Sequence, residues 1–281
     1  MTTPAPPAYA LNDGHELPAI GFGTYPLRGE DGIRAVCTAL EAGYRLIDTA
    51  VMYGNEAEVG EAIRRSGVAR EELRVCSKIP GDQHAYADAI GSVEGSLRRL
   101  GLDYLDLHLI HWPNPRRGLY VEAWRALVTL RERGRVTSIG VSNFTAAHLD
   151  TVIADSGVTP AVNQIELHPL FPQAEMRAVN SARGIVTESW SPLGKRAAQY
   201  AAGPVTAAAA RLGVTPAQVI LRWQLQLGCL PIPKSADPER QAANLDVFGF
   251  SLTADEVAAI TALGRPDGRL FGGDPDTHEE P

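Results

Sequence analysis

Eight short apolar runs, each separated from the next by a stretch of helical periodicity, constrain this chain more than any other feature. The runs lie at 19–24, 45–48, 73–79, 104–111, 136–141, 161–165, 185–189 and 229–232, and Pro, Gly or Asn follows many of them. Helical patterns fall at 30–42, 56–66, 84–100, 118–133, 145–155, 172–182, 197–212 and 238–247. Strands that are apolar almost throughout and alternate with helices imply a parallel sheet covered on its faces. Eight such units in 281 residues predict an α/β fold, a (β/α)8 TIM barrel running as one domain. A doubly wound open sheet is the alternative.

Other segments are additions to that repeat. Asn12-Asp13-Gly14-His15 between two short runs predicts an N-terminal β-hairpin. Thr215 before Pro216, and Thr253 three residues before Glu256, each open an extra C-terminal helix. The barrel is expected over about 11–263, with 264–281 as a Gly-, Pro- and Asp-rich tail over one end. Gly21-Phe22-Gly23 is not a dinucleotide fingerprint, because Pro26 stands where the third glycine belongs.

The net charge of -7 gives no general footprint for nucleic acid. No apolar run approaches the roughly 20 residues of a membrane span, and the first residues lack the pattern of a signal peptide. Cys37, Cys76 and Cys229 are odd in number, widely spaced and without metal-ligand spacing. A cytoplasmic enzyme or binding protein is the expectation, and the sequon Asn143-Phe144-Thr145 is then a chance match.

Four groups fall at the carboxyl ends of three successive strands, the edge of a barrel where catalytic groups are found. Asp48 ends the second run, and a turn at Gly54-Asn55 brings Tyr53 back over it. Lys78 closes the third run and His111 the fourth. Together they suit proton delivery to a carbonyl oxygen. Lys78 is expected to depress the pKa of Tyr53, with Asp48 holding Lys78 charged and in place. Tyr53 and His111 then donate hydrogen bonds where negative charge develops. Each residue also has a plain structural reading: an ion pair at a barrel mouth, a packed aromatic, a strand-end histidine. His108 and His111 do not make a metal pair, since residues three apart on a strand face opposite ways. No metal is expected.

This constellation carries no hydride, so a cofactor must bring it. After the last run, Lys234, Ser235, Arg240 and the amides of a helix opening at Pro238 form a compact anion site. A solvated helix start with routine charges is the alternative.

In combination and in order, the motifs resemble those of the aldo-keto reductases, over about 11–263. They are Gly21-Phe22-Gly23-Thr24, Asp48-Thr49-Ala50, Tyr53-Gly54-Asn55-Glu56, Lys78 and Leu109-Ile110-His111-Trp112-Pro113. Gly140-Val141-Ser142-Asn143-Phe144, Asn163-Gln164-Ile165-Glu166, Ser191-Pro192-Leu193-Gly194 and Ile232-Pro233-Lys234-Ser235 follow. Short connections after Trp112 and Gly194 are most similar to the small prokaryotic members, such as the diketogluconate reductases.

The resemblance implies a monomeric NADPH-dependent reductase of small carbonyl compounds, diketo sugar acids among them, with NADH as a weaker alternative cofactor. It implies that Asp48, Tyr53, Lys78 and His111 are the catalytic tetrad, with Tyr53 as general acid. It assigns Ser142, Asn143 and Gln164 to the nicotinamide carboxamide, Trp190 to stacking on its ring, and Ser191 and Leu193 to the pyrophosphate. Lys234, Ser235 and Arg240 fall to the 2′-phosphate, Asn244 to the adenine, and Gly23 and Thr24 to the cofactor as well. Tyr25 and Trp112 are implied as walls of the substrate pocket, over which the C-terminal tail closes.

Three departures stand out. Asp237 replaces a neutral residue beside the 2′-phosphate, where a carboxylate either caps the helix or repels the phosphate. Ala243 replaces a glutamate against the adenine. Tyr25 replaces a tryptophan of the mammalian pocket, so their substrate range does not carry across. Two competing classes are a cofactor-binding regulatory protein and a barrel hydrolase using Asp48, His111 and a metal.

Overall fold

A computed structural model describes residues 7–195, 197–270 and 272–281. The chain opens with a hairpin of β1 (Ala8–Ala10) and β2 (Glu16–Pro18), antiparallel with Tyr9 opposite Leu17. The repeat then runs β3 (Phe22–Gly23), α1 (Gly29–Ala42), β4 (Leu46–Asp48), α2 (Glu56–Ser66), β5 (Arg74–Ile79), α3 (Tyr86–Leu100), β6 (Leu105–Ile110) and α4 (Tyr120–Glu132). It continues with β7 (Val136–Ser142), α5 (Ala146–Ser156), β8 (Val162–Glu166), α6 (Ala174–Ala182), β9 (Val186–Trp190) and α7 (Gly203–Leu212). The chain ends with α8 (Pro216–Gln226), β10 (Cys229–Pro231), α9 (Pro238–Leu245), α10 (Ala254–Thr261) and the tail.

The strands β3 to β10 pair parallel in chain order. The two end strands are joined by backbone bonds, Gly21 N–H to Pro231 O at 3.0 Å and Gly23 N–H to Pro233 O at 3.0 Å. That seam makes the sheet a closed TIM barrel rather than an open doubly wound sheet. The seam needs glycine: a Cβ on Gly21 would lie 2.5 Å from Ile232 Cδ1 and 2.9 Å from Leu46 Cγ.

Strand alternation then decides what lies inside. Leu46, Cys76, Leu107, Leu109, Val162 and Leu230 fill the barrel, with Leu11 and Leu17 of the hairpin packed among them. Ile47 and Val75, one residue away, pack outward against the first helices. Moving two residues toward the carboxyl ends keeps the inward direction. The next layer up is therefore Asp48, Lys78, Gln164 and Glu188, all buried. An apolar layer with a charged layer on top of it is how this barrel ends.

The predicted helices are present with ends shifted by a few residues. The largest shift is at 197–212, where Ala197–Gln199 is a single 3-10 turn and α7 begins at Gly203, with Pro204 in its first turn. The capping residues behave as expected: Thr215 and Thr253 each accept from the backbone three residues on. The strands β7, β8 and β9 run past the apolar stretches to Ser142, Glu166 and Trp190. Their polar last residues are what the barrel presents at its mouth.

Candidate active site

Three strand ends build the centre. Lys78, fully buried, donates to Asp48 Oδ1 at 2.7 Å, Asp48 Oδ2 at 2.8 Å and the Thr49 carbonyl at 2.9 Å. Its Nζ also lies 3.3 Å from the Tyr53 hydroxyl and 5.0 Å from the centre of that ring. Tyr53 reaches this place because Val51–Tyr53 winds into a short 3-10 turn that Gly54 ends at φ 61. Arg28 clamps the turn by donating twice to the Tyr53 carbonyl, at 3.1 and 2.8 Å. Asn55, buried behind, accepts from Thr49 Oγ1 at 2.7 Å and donates to the carbonyls of Thr24 and Leu27. The loops at this end of the barrel are thus tied through one amide.

The electrostatics depart from expectation in one respect. Burial opposes the charge on Lys78, but Asp48 and Tyr53 outweigh it and hold the amine protonated above its ordinary range. Burial pushes the Tyr53 phenol up to about 12, and Lys78 pulls against that without reversing it. Tyr53 keeps part of its ring exposed, yet its surroundings are dense with protein atoms. Lys78 thus lowers the phenol as expected, but burial outweighs it. In the free protein, desolvation wins and Tyr53 is a firmly protonated donor.

Gln164 stands between two carboxyl groups, its Nε2 donating to Asp48 Oδ2 at 3.0 Å and Glu188 Oε2 at 2.9 Å. With both amide hydrogens spent inward, only its oxygen is left for a ligand. Glu188 is pushed up to about 8 by burial and by Asp48, and its Oε1 has no hydrogen-bond partner among the described residues. His111 sits edge-on to Tyr53, ring centres 5.9 Å apart at 75°. Asn143, held at φ 61, accepts from Trp190 Nε1 at 2.8 Å and donates to the His111 carbonyl at 3.0 Å and to Ser142 Oγ at 3.0 Å. Ser142 donates on to the Gln164 carbonyl at 2.9 Å. Ser142 and Asn143 thus brace Trp190 and His111 as much as they face a ligand.

Trp112 lies edge-on to Trp190 at 6.5 Å, and Tyr25, half exposed, leans on Tyr53 at 5.2 Å. Thr24 turns inward and donates to the Asp48 carbonyl at 2.9 Å. Among the described residues, no group of three or more His, Cys, Asp or Glu side chains is arranged to hold a metal. His108 lies on the opposite side of β6 from His111, buried, and burial lowers it to about 3.

The anion end follows β9 and β10. Ser191 stands at φ 48, and Gly194 N–H bonds back to its carbonyl at 2.8 Å, a turn that carries Leu193. Gln199 donates to the Leu193 carbonyl. Asp237 caps α9: its Oδ1 accepts from the amides of Glu239 at 2.9 Å and Arg240 at 3.2 Å, and its Oδ2 lies 3.2 Å from Arg240 Nε. The capping role expected of this carboxylate is therefore present. Ser235 accepts from the Asp237 amide at 3.1 Å, Lys234 and Arg240 are exposed, and Asn244 is buried one helical turn beyond Arg240.

Two carboxylates were missed in the sequence. Glu188 was legible as a lone acid inside an apolar run. Glu280 was not: the tail crosses the mouth and brings its carboxylate to 2.6 Å from His111 Nδ1. On the way, Leu270 N–H donates to Glu166 Oε1 at 2.6 Å, and His278 packs on Trp112 at 4.2 Å.

Residues 19–265 match the model of the aldo/keto reductase family. The chain is 58% identical over 274 residues to the 2,5-diketo-D-gluconic acid reductase B of Corynebacterium sp. (strain SHS752001), covering 98% of each. A crystal structure of a Gox0644 variant in complex with NADPH superposes with a TM-score of 0.93 at 43% identity, over 98% of this chain and 99% of that one. An aldo-keto reductase of Bombyx mori in complex with NADP gives 0.86 at 36% identity, over 93% and 94%. The chain belongs to the aldo/keto reductase family and is an NAD(P)H-dependent carbonyl oxidoreductase.

Proposed function

We propose that the protein reduces small aldehydes and ketones, diketo sugar acids among them, with Tyr53 as the general acid. The observation that carries this is the chain of contacts from Asp48 through Lys78 to the Tyr53 hydroxyl. Tyr53, protonated because burial favours the neutral phenol, delivers its proton as charge develops on the carbonyl oxygen. Lys78, 3.3 Å away, stabilises the phenolate left behind, and Asp48 keeps Lys78 aimed and charged. His111 bounds the same space from the other side and donates to the oxygen.

NADPH is the cofactor, and when bound it supplies the hydride. The residues fit it. Gln164 has only its oxygen to offer, which suits the –NH2 of a carboxamide, and Ser142 and Asn143 stand beside it. Trp190 offers an aromatic face whose edge is fixed by Asn143. Ser191 and Leu193 would hold the pyrophosphate, Lys234, Ser235 and Arg240 the 2′-phosphate, and Asn244 the adenine. Gly23, which lies against Ile232 and Lys234, and Thr24 would border the cofactor as well. Because Asp237 already pairs with Arg240, the phosphate competes with a resident carboxylate, and NADH remains usable as the weaker alternative.

An acid substrate is in keeping with the relative's name and with Lys195, whose ammonium lies 5.4 Å from the Tyr25 ring on the rim. Tyr25 and Trp112 are the walls in this reading. The test is NADPH oxidation by the purified protein against aldehydes, ketones, diketones and diketo sugar acids. Turnover is expected, highest with a keto acid. NADPH binding without turnover of any carbonyl would point to a cofactor-binding regulatory role instead.

A further inference from the structure

The tail ends in a receptor built for one residue. Asn114, fully buried and at φ 45, exchanges two bonds with the backbone of residue 280: its Nδ2 donates to the Glu280 carbonyl at 2.7 Å, and its Oδ1 accepts from the Glu280 amide at 3.1 Å. Gly81, just past β5, donates its N–H to Glu280 Oε2 at 3.1 Å. A Cβ on Gly81 would sit 2.0 Å from Asn114 Nδ2 and 2.6 Å from the Glu280 carbonyl, so the receptor needs glycine there. Arg116 N–H holds the neighbouring Glu279 side chain at 2.7 Å. These contacts leave Glu280 Oε1 facing His111 Nδ1 at 2.6 Å, with both side chains mostly buried.

The approach is charge-to-ring rather than an aligned hydrogen bond, since Nδ1 has no hydrogen-bond partner among the described residues. The other titratable groups around this corner do not replace Glu280. His84 is held neutral, lowered by burial to about 4. Arg117 donates to the Gly81 carbonyl at 3.4 Å. Asp48 and Lys78 close on each other, and Tyr53 is protonated.

We propose that Glu280 is the positioning residue for His111: its carboxylate balances a doubly protonated imidazole and so keeps Nε2–H available to the carbonyl oxygen. This rests on the reductase reading, in which His111 donates to that oxygen. An imidazole with one proton has to spend it on one nitrogen, and beside a carboxylate that nitrogen is Nδ1. Donation at Nε2 therefore requires the second proton, and a buried cation is tolerated only beside an anion. The consequence is that the last turn of the chain completes the catalytic centre rather than merely covering it.

The experiment is 15N NMR of the imidazoles in the full-length protein and in Glu280→Gln, with the His111 signals identified by their loss in His111→Gln. Steady-state kinetics of the parent, Glu280→Gln and Glu280→Asp run alongside. At neutral pH the parent is expected to show both His111 nitrogens protonated and Glu280→Gln only one. In Glu280→Gln, kcat is expected to fall about tenfold, with the carbonyl KM within about twofold. Glu280→Asp should restore the second proton and part of kcat. A single proton on His111 in the parent, or identical His111 signals in parent and Glu280→Gln, overturns the proposal. An equal loss of kcat in the Gln and Asp variants also overturns it, since that marks a tail contact with no part for the charge. If the parent reduces no carbonyl, the reductase reading fails, while the NMR comparison still decides the pairing.

Discussion

The two ends of the candidate site are built on opposite principles. At the barrel mouth, Asp48, Lys78, Gln164 and Glu188 are buried side chains that bond to one another from the barrel strands. At the anion end, Lys234 and Arg240 are exposed, and the helix start is occupied by its own Asp237. The first arrangement fixes geometry before any ligand arrives, which is what transition-state stabilisation requires. The second is an exposed surface cluster, which in the proposed reading rearranges around a phosphate. Breaking the Asp48–Lys78 pair should therefore cost folding and chemistry together, and substitutions at Lys234 or Arg240 should move only cofactor affinity.

Lys78→Met should break that contrast most visibly if it is wrong. It strands Asp48 in a buried site without its cation, so denaturant unfolding should show a loss of about 3–5 kcal/mol, and turnover should disappear. A loss below about 1 kcal/mol would mean water reaches Asp48 and the mouth is no more rigid than the surface.

Glu188 gives the pH dependence. Its folded-state value, about 8, lies above the ordinary 4.5, because burial and Asp48 disfavour its charge. The folded protein then keeps a proton that the unfolded chain has released, and stability falls as pH rises from about 4.5 to about 8. Glu188→Gln, which mimics the protonated acid, should flatten that slope and raise stability at the alkaline end. Thermal melts across that range check it, and a parent stability that rises with pH would contradict it.

The anion end should respond more gently and without stability change. Arg240→Ala should raise the KM for NADPH about tenfold and leave that for NADH nearly unchanged. Equal effects on both would place the 2′-phosphate elsewhere. Asp237→Asn should lower the KM for NADPH roughly threefold, because asparagine caps α9 as well as aspartate but no longer competes for Arg240. An unchanged KM would leave Asp237 as a cap and nothing more.

The fold was legible because each barrel strand carries its own apolar run and each helix its own periodicity, which are local signals. Thr215 and Thr253 say what they do within a few residues. The mouth was legible in its strand-end residues, Asp48, Lys78 and His111, for the same reason. What escaped were the consequences of closure. The net direction of the Tyr53 shift depends on how much protein surrounds it, which no motif contains. The pairing of Asn143 with Trp190, and of Asn114 with Glu280, joins segments brought together only when the barrel closes and the tail folds back. Glu166 reads as an ordinary strand-end acid until Leu270 of the tail is seen to donate to it.

The central claim is that Tyr53, raised on a Lys78–Asp48 pair, is the acid. Tyr53→Phe removes one oxygen from a site whose ion pair closes without it. Turnover of a carbonyl substrate by this variant is expected to fall about 1000-fold, with NADPH titrated by fluorescence binding as tightly as in the parent. Turnover within about tenfold of the parent would mean that another group delivers the proton, and Tyr53 would then be a packed aromatic at the mouth rather than its acid.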